Sequence, residues 1–151
     1  MSRSEKVIIT NMCMVYDDKG NVLVQNRLNP NWPGITFPGG HVNDKESFSE
    51  SVIREVYEET GLTIESPILC GIKQFQTAEN ERYIVLLYKT KLFKGNLKSS
   101  REGEVFWTSR EKLFDYKVAN DFEKMLQVFE DDELCELYYY NKDETLHSKL
   151  L

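Results

Sequence analysis

The sequence predicts a mixed α/β (α+β) fold, a β-sheet with helices on its faces, and three observations carry that expectation. β-rich runs recur from Val7 to Tyr140, one strongly signalled helix lies between Ser47 and Thr60, and a second apolar helical pattern follows after Ala119. Strand and helix signals interleave with no internal repeat, low-complexity stretch or linker, so residues 1–151 read as a single domain with a C-terminal helix and strand at about 119–141.

The elements follow in order. Val7 to Tyr16 is β-rich, Asp17 to Asn21 is a turn, and Val22 to Gln25 is a second strand. Asn29 to Gly34, with its prolines, asparagines and Trp32, is a loop, and Ile35-Thr36-Phe37 is a short extended piece before Pro38-Gly39-Gly40. Ser47 and Glu50 form a capping box that opens the helix, and Gly61 stands at its C-terminal cap. Phe48, Val52, Ile53 and Val56 give that helix an apolar stripe. Two long β-type runs come next, Ile68 to Gln76 and Tyr83 to Phe93, with a turn expected at Lys94-Gly95-Asn96 and a short strand at Val105 to Trp107. Ser109 to Phe114 and Ala119 to Phe129 read as helices, the second with Phe122, Met125, Leu126 and Phe129 spaced for burial. Leu134 to Tyr140 reads as a last strand before a charged tail.

Composition narrows the function. An apolar fraction of 40% and a charged fraction of 29% are those of a soluble globular chain, and no run approaches the length of a membrane span. The apolar start at Val7-Ile8-Ile9 is diluted by Thr10-Asn11 and ends at Asp17 without a small-residue cleavage site, unlike a signal peptide. Cys13, Cys70 and Cys135 lie far apart with no CxxC pair, the pattern of reduced, buried thiols in a cytoplasmic protein. The net charge of −6 argues against a nucleic-acid polymer as partner. An acidic chain that handles phosphates needs a divalent cation held by carboxylates and facing the phosphate oxygens.

Such carboxylates exist. After the Gly39-Gly40 loop, the helix bears Glu55, Glu58 and Glu59 at i, i+3 and i+4, within roughly a third of the helix circumference. Three carboxylates there repel one another unless they share a cation, and hard oxygen ligands suit Mg²⁺ or Mn²⁺. The plainer reading is a solvated acidic helix face with Arg54 paired to Glu58. The surrounding residues decide between them. Gly40, Glu46, Arg54-Glu55-Val56, Glu58-Glu59 and Gly61-Leu62 fall at spacings that arise by chance in a chain this long less than about once in a million.

That pattern resembles the Nudix box (Gly-x5-Glu-x7-Arg-Glu-aliphatic-x-Glu-Glu-x-Gly-aliphatic) with no departure from Gly40 to Leu62. The resemblance implies the Nudix fold, a mixed sheet sandwiched between helices, and hydrolysis of nucleoside diphosphates linked to another group. By the same resemblance Glu55, Glu58 and Glu59 bind metal, Mg²⁺ or Mn²⁺, joined by the Gly39 carbonyl. Arg54 holds the glutamates, and Glu46 lies close by. A further carboxylate after the box falls to Glu102 or Glu104, with Glu102 favoured for its Arg101-Glu102-Gly103 loop. Glu58 and Glu59 are the first candidates for general base, Glu46 and Glu102 the others. Arg27, at the end of the second strand, is a candidate for substrate phosphate or base.

The segment Asn31 to Gly40 resembles the matching loop of MutT-like enzymes, which clear oxidised purine triphosphates such as 8-oxo-dGTP and release pyrophosphate. In those enzymes an Asn or Asp after the last core strand reads the base, a place taken here by Asn120 or Asp121. Phe37, Phe75 and Asn11 are candidates to line the base pocket, although an aromatic in a strand is commonly core. The resemblance leaves ADP-ribose, a nucleotide sugar or ordinary (d)NTPs as alternatives, and a non-catalytic nucleotide-sensing module as one of another class. The partner expected is a nucleotide, with no membrane and no nucleic-acid polymer. The aromatic strand from Leu134 either pairs within its own domain or mediates association, so the chain is expected as monomer or homodimer.

Overall fold

The computed structural model describes residues 2–151. Alternation along β1 (Val7–Val15) sets the layout. Met12 and Met14 point to one side and Cys13 and Val15 to the other, and each side has its own core. On one side the helix α1 (Phe48–Thr60) packs Val52 and Val56 against Cys13, Val15 and Leu86. On the other, α2 (Phe122–Glu130) packs Phe122, Met125, Leu126 and Phe129 against Met12, Met14 and Phe37. Each such fully buried side chain contributes about 1.5–3 kcal/mol.

Between the helices lies a five-stranded mixed sheet. β1 runs parallel to β6 (Arg82–Thr90), β6 antiparallel to β5 (Ile68–Gln76), β5 parallel to β9 (Glu136–Lys142), and β9 antiparallel to β10 (Thr145–Leu150). A three-stranded sheet is ordered β3 (Gly34–Thr36), β2 (Asn21–Arg27), β8 (Gly103–Ser109), and β4 (Leu62–Glu65) pairs with β7 (Leu92–Gly95) as a separate ribbon. The mixed α+β architecture is the one the strand and helix patterns predict.

α1 forms as its caps dictate. Ser47 Oγ accepts from the Glu50 N–H at 3.0 Å, the Glu50 carboxylate accepts from the Ser47 N–H, and Gly61 closes the helix at φ +78°. Phe48 departs from the expected stripe. It is 44% exposed, because the first turn projects beyond the core.

Several boundaries differ from expectation. The run from Tyr83 to Phe93 is two strands in two sheets. Thr90 Oγ1 donates to the Glu65 carbonyl at 2.7 Å and accepts the Leu92 N–H at 3.1 Å, so the chain leaves β6 for the ribbon. Lys94 and Gly95, expected in a turn, belong to β7, and β4 was not foreseen. Ser109 to Phe114 is a 3-10 helix at Arg110–Asp115. α2 starts three residues later than expected because Asp121 is left-handed, φ +68°, and a helix cannot run through it. The charged tail after Tyr140 is β10, the outer arm of a hairpin whose inner arm β9 pairs with β5 of the same chain. The three cysteines are free thiols, but only Cys13 is buried and Cys135 is exposed.

Candidate active site

The loop after β3 is held along the edge of β1. The Cys13 N–H donates to the Pro38 carbonyl at 2.9 Å and the Asn11 N–H to the Gly40 carbonyl at 2.8 Å. The approach is so close that a Cβ on Gly39 would collide with the Asn11 carbonyl, and one on Gly40 with the Glu55 carboxylate. Asn11 ties the loop to α1. Its Oδ1 accepts the Gly40 N–H at 3.2 Å and its Nδ2 donates to Ser51 Oγ at 2.9 Å.

This arrangement presses the glutamates of α1 against the loop. Glu59 is only 4% exposed and accepts the Gly39 N–H at 3.0 Å. Burial pushes its carboxyl up to about 7, and the charges of Glu55 and Glu102 push the same way. Burial also raises Glu55, against the pull of Arg54. The Arg54 guanidinium is the hub of the helix face. It donates to both carboxylate oxygens of Glu46 (2.7 and 2.9 Å), to Glu55 at 2.9 Å, to Glu58 at 3.1 Å and to the His41 carbonyl at 3.0 Å. Hydrogen bonds from Arg54 hold the Glu46 carboxyl at about 2.

Beside these groups opens a cavity of about 590 Å³. Glu55, Glu59 and Glu102 line it together with Gly39, Gly40 and His41, while Glu104 is exposed and Glu102 alone of the two late candidates faces the cavity. Asn11, Phe37, Phe75 and Arg27 also line it. Phe37 does so mainly as core, with edge-to-face contacts to Phe122 and Phe129 at 4.9 and 5.2 Å. Phe75 stacks on Tyr83 at 5.0 Å. Arg27 links the two groups of lining residues. Its charge acts on Glu59, and its guanidinium lies 5.2 Å from the Trp32 ring.

Besides Glu46, Arg54 and Glu104, three more expected residues lie outside the lining. Glu58 is 56% exposed on the outer side of Arg54. Asn120 is exposed and engages only through its carbonyl, which accepts the Trp32 Nε1–H at 3.2 Å. Asp121 sits one step back from the cavity, 3.5 Å from Lys73 Nζ. The lining residues that sequence reasoning did not single out include Lys73, Trp32, Tyr83 and His41. Lys73 alone left a usable signal, a lysine in phase with Phe75 on a strand face that otherwise points inward.

The donor set fits a divalent cation. Carboxylate oxygens from two elements face one cavity, and burial with charge repulsion raises the proton affinity of Glu55 and Glu59, a condition a cation relieves. Among the described residues no three acidic, histidine or cysteine side chains converge on one point; one Arg54 nitrogen engages both Glu55 and Glu58 while the Gly39 N–H engages Glu59.

Known proteins share both the sequence pattern and the fold. Residues 8–129 match the NUDIX domain family. The Nudix hydrolase YvcI of Bacillus subtilis is 32% identical over 66% of this chain, a match spanning 63% of that protein, less than two thirds of its length. The ADP-ribose pyrophosphatase of Methanocaldococcus jannaschii is 26% identical over 77% of this chain and 69% of its own. Among solved structures, a mutator MutT protein from Bacillus halodurans superposes with a TM-score of 0.74 at 27% identity, covering 95% of this chain and 97% of that one. The chain belongs to the NUDIX domain family and shares the fold of that MutT protein.

Proposed function

We propose that the chain is a Mg²⁺-dependent pyrophosphohydrolase that converts a nucleoside triphosphate derivative to the monophosphate and pyrophosphate, with an oxidised purine dNTP such as 8-oxo-dGTP as substrate. One observation carries the proposal. A single cavity joins a buried carboxylate cluster to an aromatic pocket through Arg27, so phosphates and base have adjoining places. Its volume of about 590 Å³ is that of a small-molecule site. The name of the Bacillus halodurans neighbour, MutT, agrees with the MutT-like resemblance of the Asn31 to Gly40 loop.

Glu55, Glu59 and Glu102 would hold Mg²⁺ or Mn²⁺, with the Gly39 carbonyl beside them and Glu58 once it leaves Arg54. A bound divalent cation would acidify water and neutralise phosphate charge. Glu59 Oε1, the oxygen not engaged by Gly39, would take the proton of the attacking water, with Glu58 as the alternative. Glu46 is a poor base, since Arg54 occupies both its oxygens and holds its pKa at about 2. Arg27 would bind phosphate, and the base would lie against Trp32, Phe75 and Tyr83.

A second reading is hydrolysis of ADP-ribose, favoured by the name of the Methanocaldococcus jannaschii relative. Pyrophosphate and phosphate release, with and without Mg²⁺, across 8-oxo-dGTP, the common dNTPs, ADP-ribose and nucleotide sugars tests both. The expected result is pyrophosphate release with kcat/KM for 8-oxo-dGTP about tenfold or more above dGTP, the range one or two added hydrogen bonds supply. Preference for ADP-ribose replaces the substrate, and no turnover on any nucleotide leaves a nucleotide-sensing module.

A further inference from the structure

Gln25 is a fully buried amide with nothing to bond. It is 0% exposed on β2, and neither its amide oxygen nor its amide nitrogen has a hydrogen-bond partner. Of the four buried side-chain polar atoms without a partner among the described residues, two are these and a third is Arg27 Nε. A buried amide left unpaired carries the full cost of its lost hydration, so native proteins keep few of them, and each calls for a cause. Position supplies one. Leu23, Gln25 and Arg27 project from one face of β2. Leu23 packs with Val52 and Val56 of α1, while Arg27 lines the cavity and its charge acts on Glu59. Gln25 stands between them. It is flanked across the sheet by Val105, of the same core, and by Thr36, which leads into the Gly39 loop that Glu59 holds. Glu59 follows Val56 by one turn of α1, and its Oε1 is the oxygen not engaged by Gly39.

We infer that Gln25 is a positioning residue for the hydrolysis, and that in the substrate-loaded cavity its amide oxygen accepts the Arg27 Nε–H while its amide N–H donates to Glu59 Oε1. This rests on the reading of Arg27 and Glu59 given above, as phosphate ligand and general base. The donors and acceptors match. Arg27 Nε has one N–H to give, the glutamine amide accepts at one end and donates at the other, and Glu59 offers a carboxylate oxygen. Both contacts pair the neutral amide with a charged group, the stronger class of hydrogen bond. A carboxylate oxygen has two lone-pair sites, so Oε1 can hold the Gln25 N–H and still meet a water proton. With Arg27 on a phosphate, the amide is the link that fixes its distance from Glu59. Such alignment matters in rate, since a misplacement of about 1 Å costs on the order of a hundredfold. An apolar residue would fill this strand face at no polar cost, and the glutamine exchanges that stability for alignment.

Two measurements test this. The first needs no turnover. A crystal structure with Mg²⁺ and a dGTP analogue carrying a methylene in place of the α,β-bridging oxygen should place Gln25 Nε2 within about 3.2 Å of Glu59 Oε1, and Gln25 Oε1 within the same reach of Arg27 Nε. An amide bonded there only to water or to other groups overturns the assignment. The second is a cycle of Gln25→Leu, Glu59→Gln and the double variant, on whichever nucleotide of the panel above is turned over fastest. Gln25→Leu should lower kcat about tenfold or more with KM within about twofold, the split expected of a residue that never touches substrate. In the Glu59→Gln background the same change should cost less than about twofold, because the group it acts through is gone. Metal-free Gln25→Leu should also melt about 3 °C or more above the parent, having lost two unpartnered polar atoms, so a fall in kcat is not a folding defect. A stabler variant with unchanged kcat, a lower melting temperature, or a tenfold loss that persists without Glu59 overturns the assignment. If Gln25→Leu does not fold, as judged by circular dichroism, Gln25→Met carries the same cycle. The general-base reading fails separately. Near-normal turnover by Glu59→Gln, with both amide contacts present in the crystal, discards Glu59 as base and keeps Gln25 as the link to Arg27.

Discussion

The two ends of the cavity are built in opposite ways. The carboxylate end draws Glu55, Glu58, Glu59 and Arg54 from six consecutive residues of one helix, with Gly39 and Gly40 close by in sequence. The base end draws Trp32, Lys73, Phe75 and Tyr83 from three separate segments, with Asp121 set behind Lys73. The first is rigid by local geometry, since a capped helix fixes the spacing of its own carboxylates. The second exists only where the sheet and α2 bring distant residues together. The chemistry is thereby separated from the choice of substrate, and substitutions at the two ends should have different kinetic signatures.

The largest effect belongs to the helix. Glu59→Gln should lower kcat by roughly a thousandfold while the fold is retained, as expected for loss of a general base and cation ligand. Glu58→Gln is the sharper comparison because Glu58 is half-exposed on Arg54. It should also lose most activity, and near-normal turnover would remove Glu58 from the cation set. Arg54→Met comes next. It strips the partner from Glu46, Glu55 and Glu58 together, and the Mg²⁺ concentration giving half-maximal rate should rise about 10- to 100-fold, as for other residues that orient ligands. An unchanged Mg²⁺ requirement would show that the carboxylates hold their places without it.

At the base end the expected change is smaller and falls on KM. Trp32→Ala should raise KM about tenfold and leave kcat within about twofold, the signature of lost uniform binding by one aromatic face. A fall in kcat instead would mean that base placement aligns the phosphates, and the two ends would not be separable.

The smallest effect is on stability. Glu59 has its folded pKa raised to about 7 from an ordinary 4.5. Between those values the folded state binds more protons than the unfolded one, so this group's contribution is full below about pH 4.5 and is lost as pH rises through about 7. Metal-free protein should therefore lose Tm relative to Glu59→Gln across that window, and Mg²⁺ should restore stability at pH 7.5. Parallel pH curves for the two proteins would contradict the burial of this charge.

Legibility followed the same division. The capping box at Ser47 and Glu50, the Gly61 cap and the three glutamates are short-range patterns, and α1 formed where they placed it. The strands of the sheet were visible as alternating apolar runs, but their ends were not. Lys91 to Gly95 continues an apolar-rich run, and only the side-chain hydrogen bonds of Thr90 send it into another sheet. Asp121 carries the consensus of a helix start, yet its left-handed backbone delays α2, and its carboxylate turns to Lys73 instead of capping the helix.

By itself the sequence determined the helix that carries the carboxylates, the glycine loop opposite them and the family they announce, because each depends on residues within one or two turns of one another. Tertiary structure alone decided that Glu102 faces the cavity and Glu104 does not, and that Lys73 meets Asp121 beneath Trp32. Those contacts join residues far apart in the chain, and their geometry is set by strand pairing and packing on the two faces of β1, which no local pattern encodes.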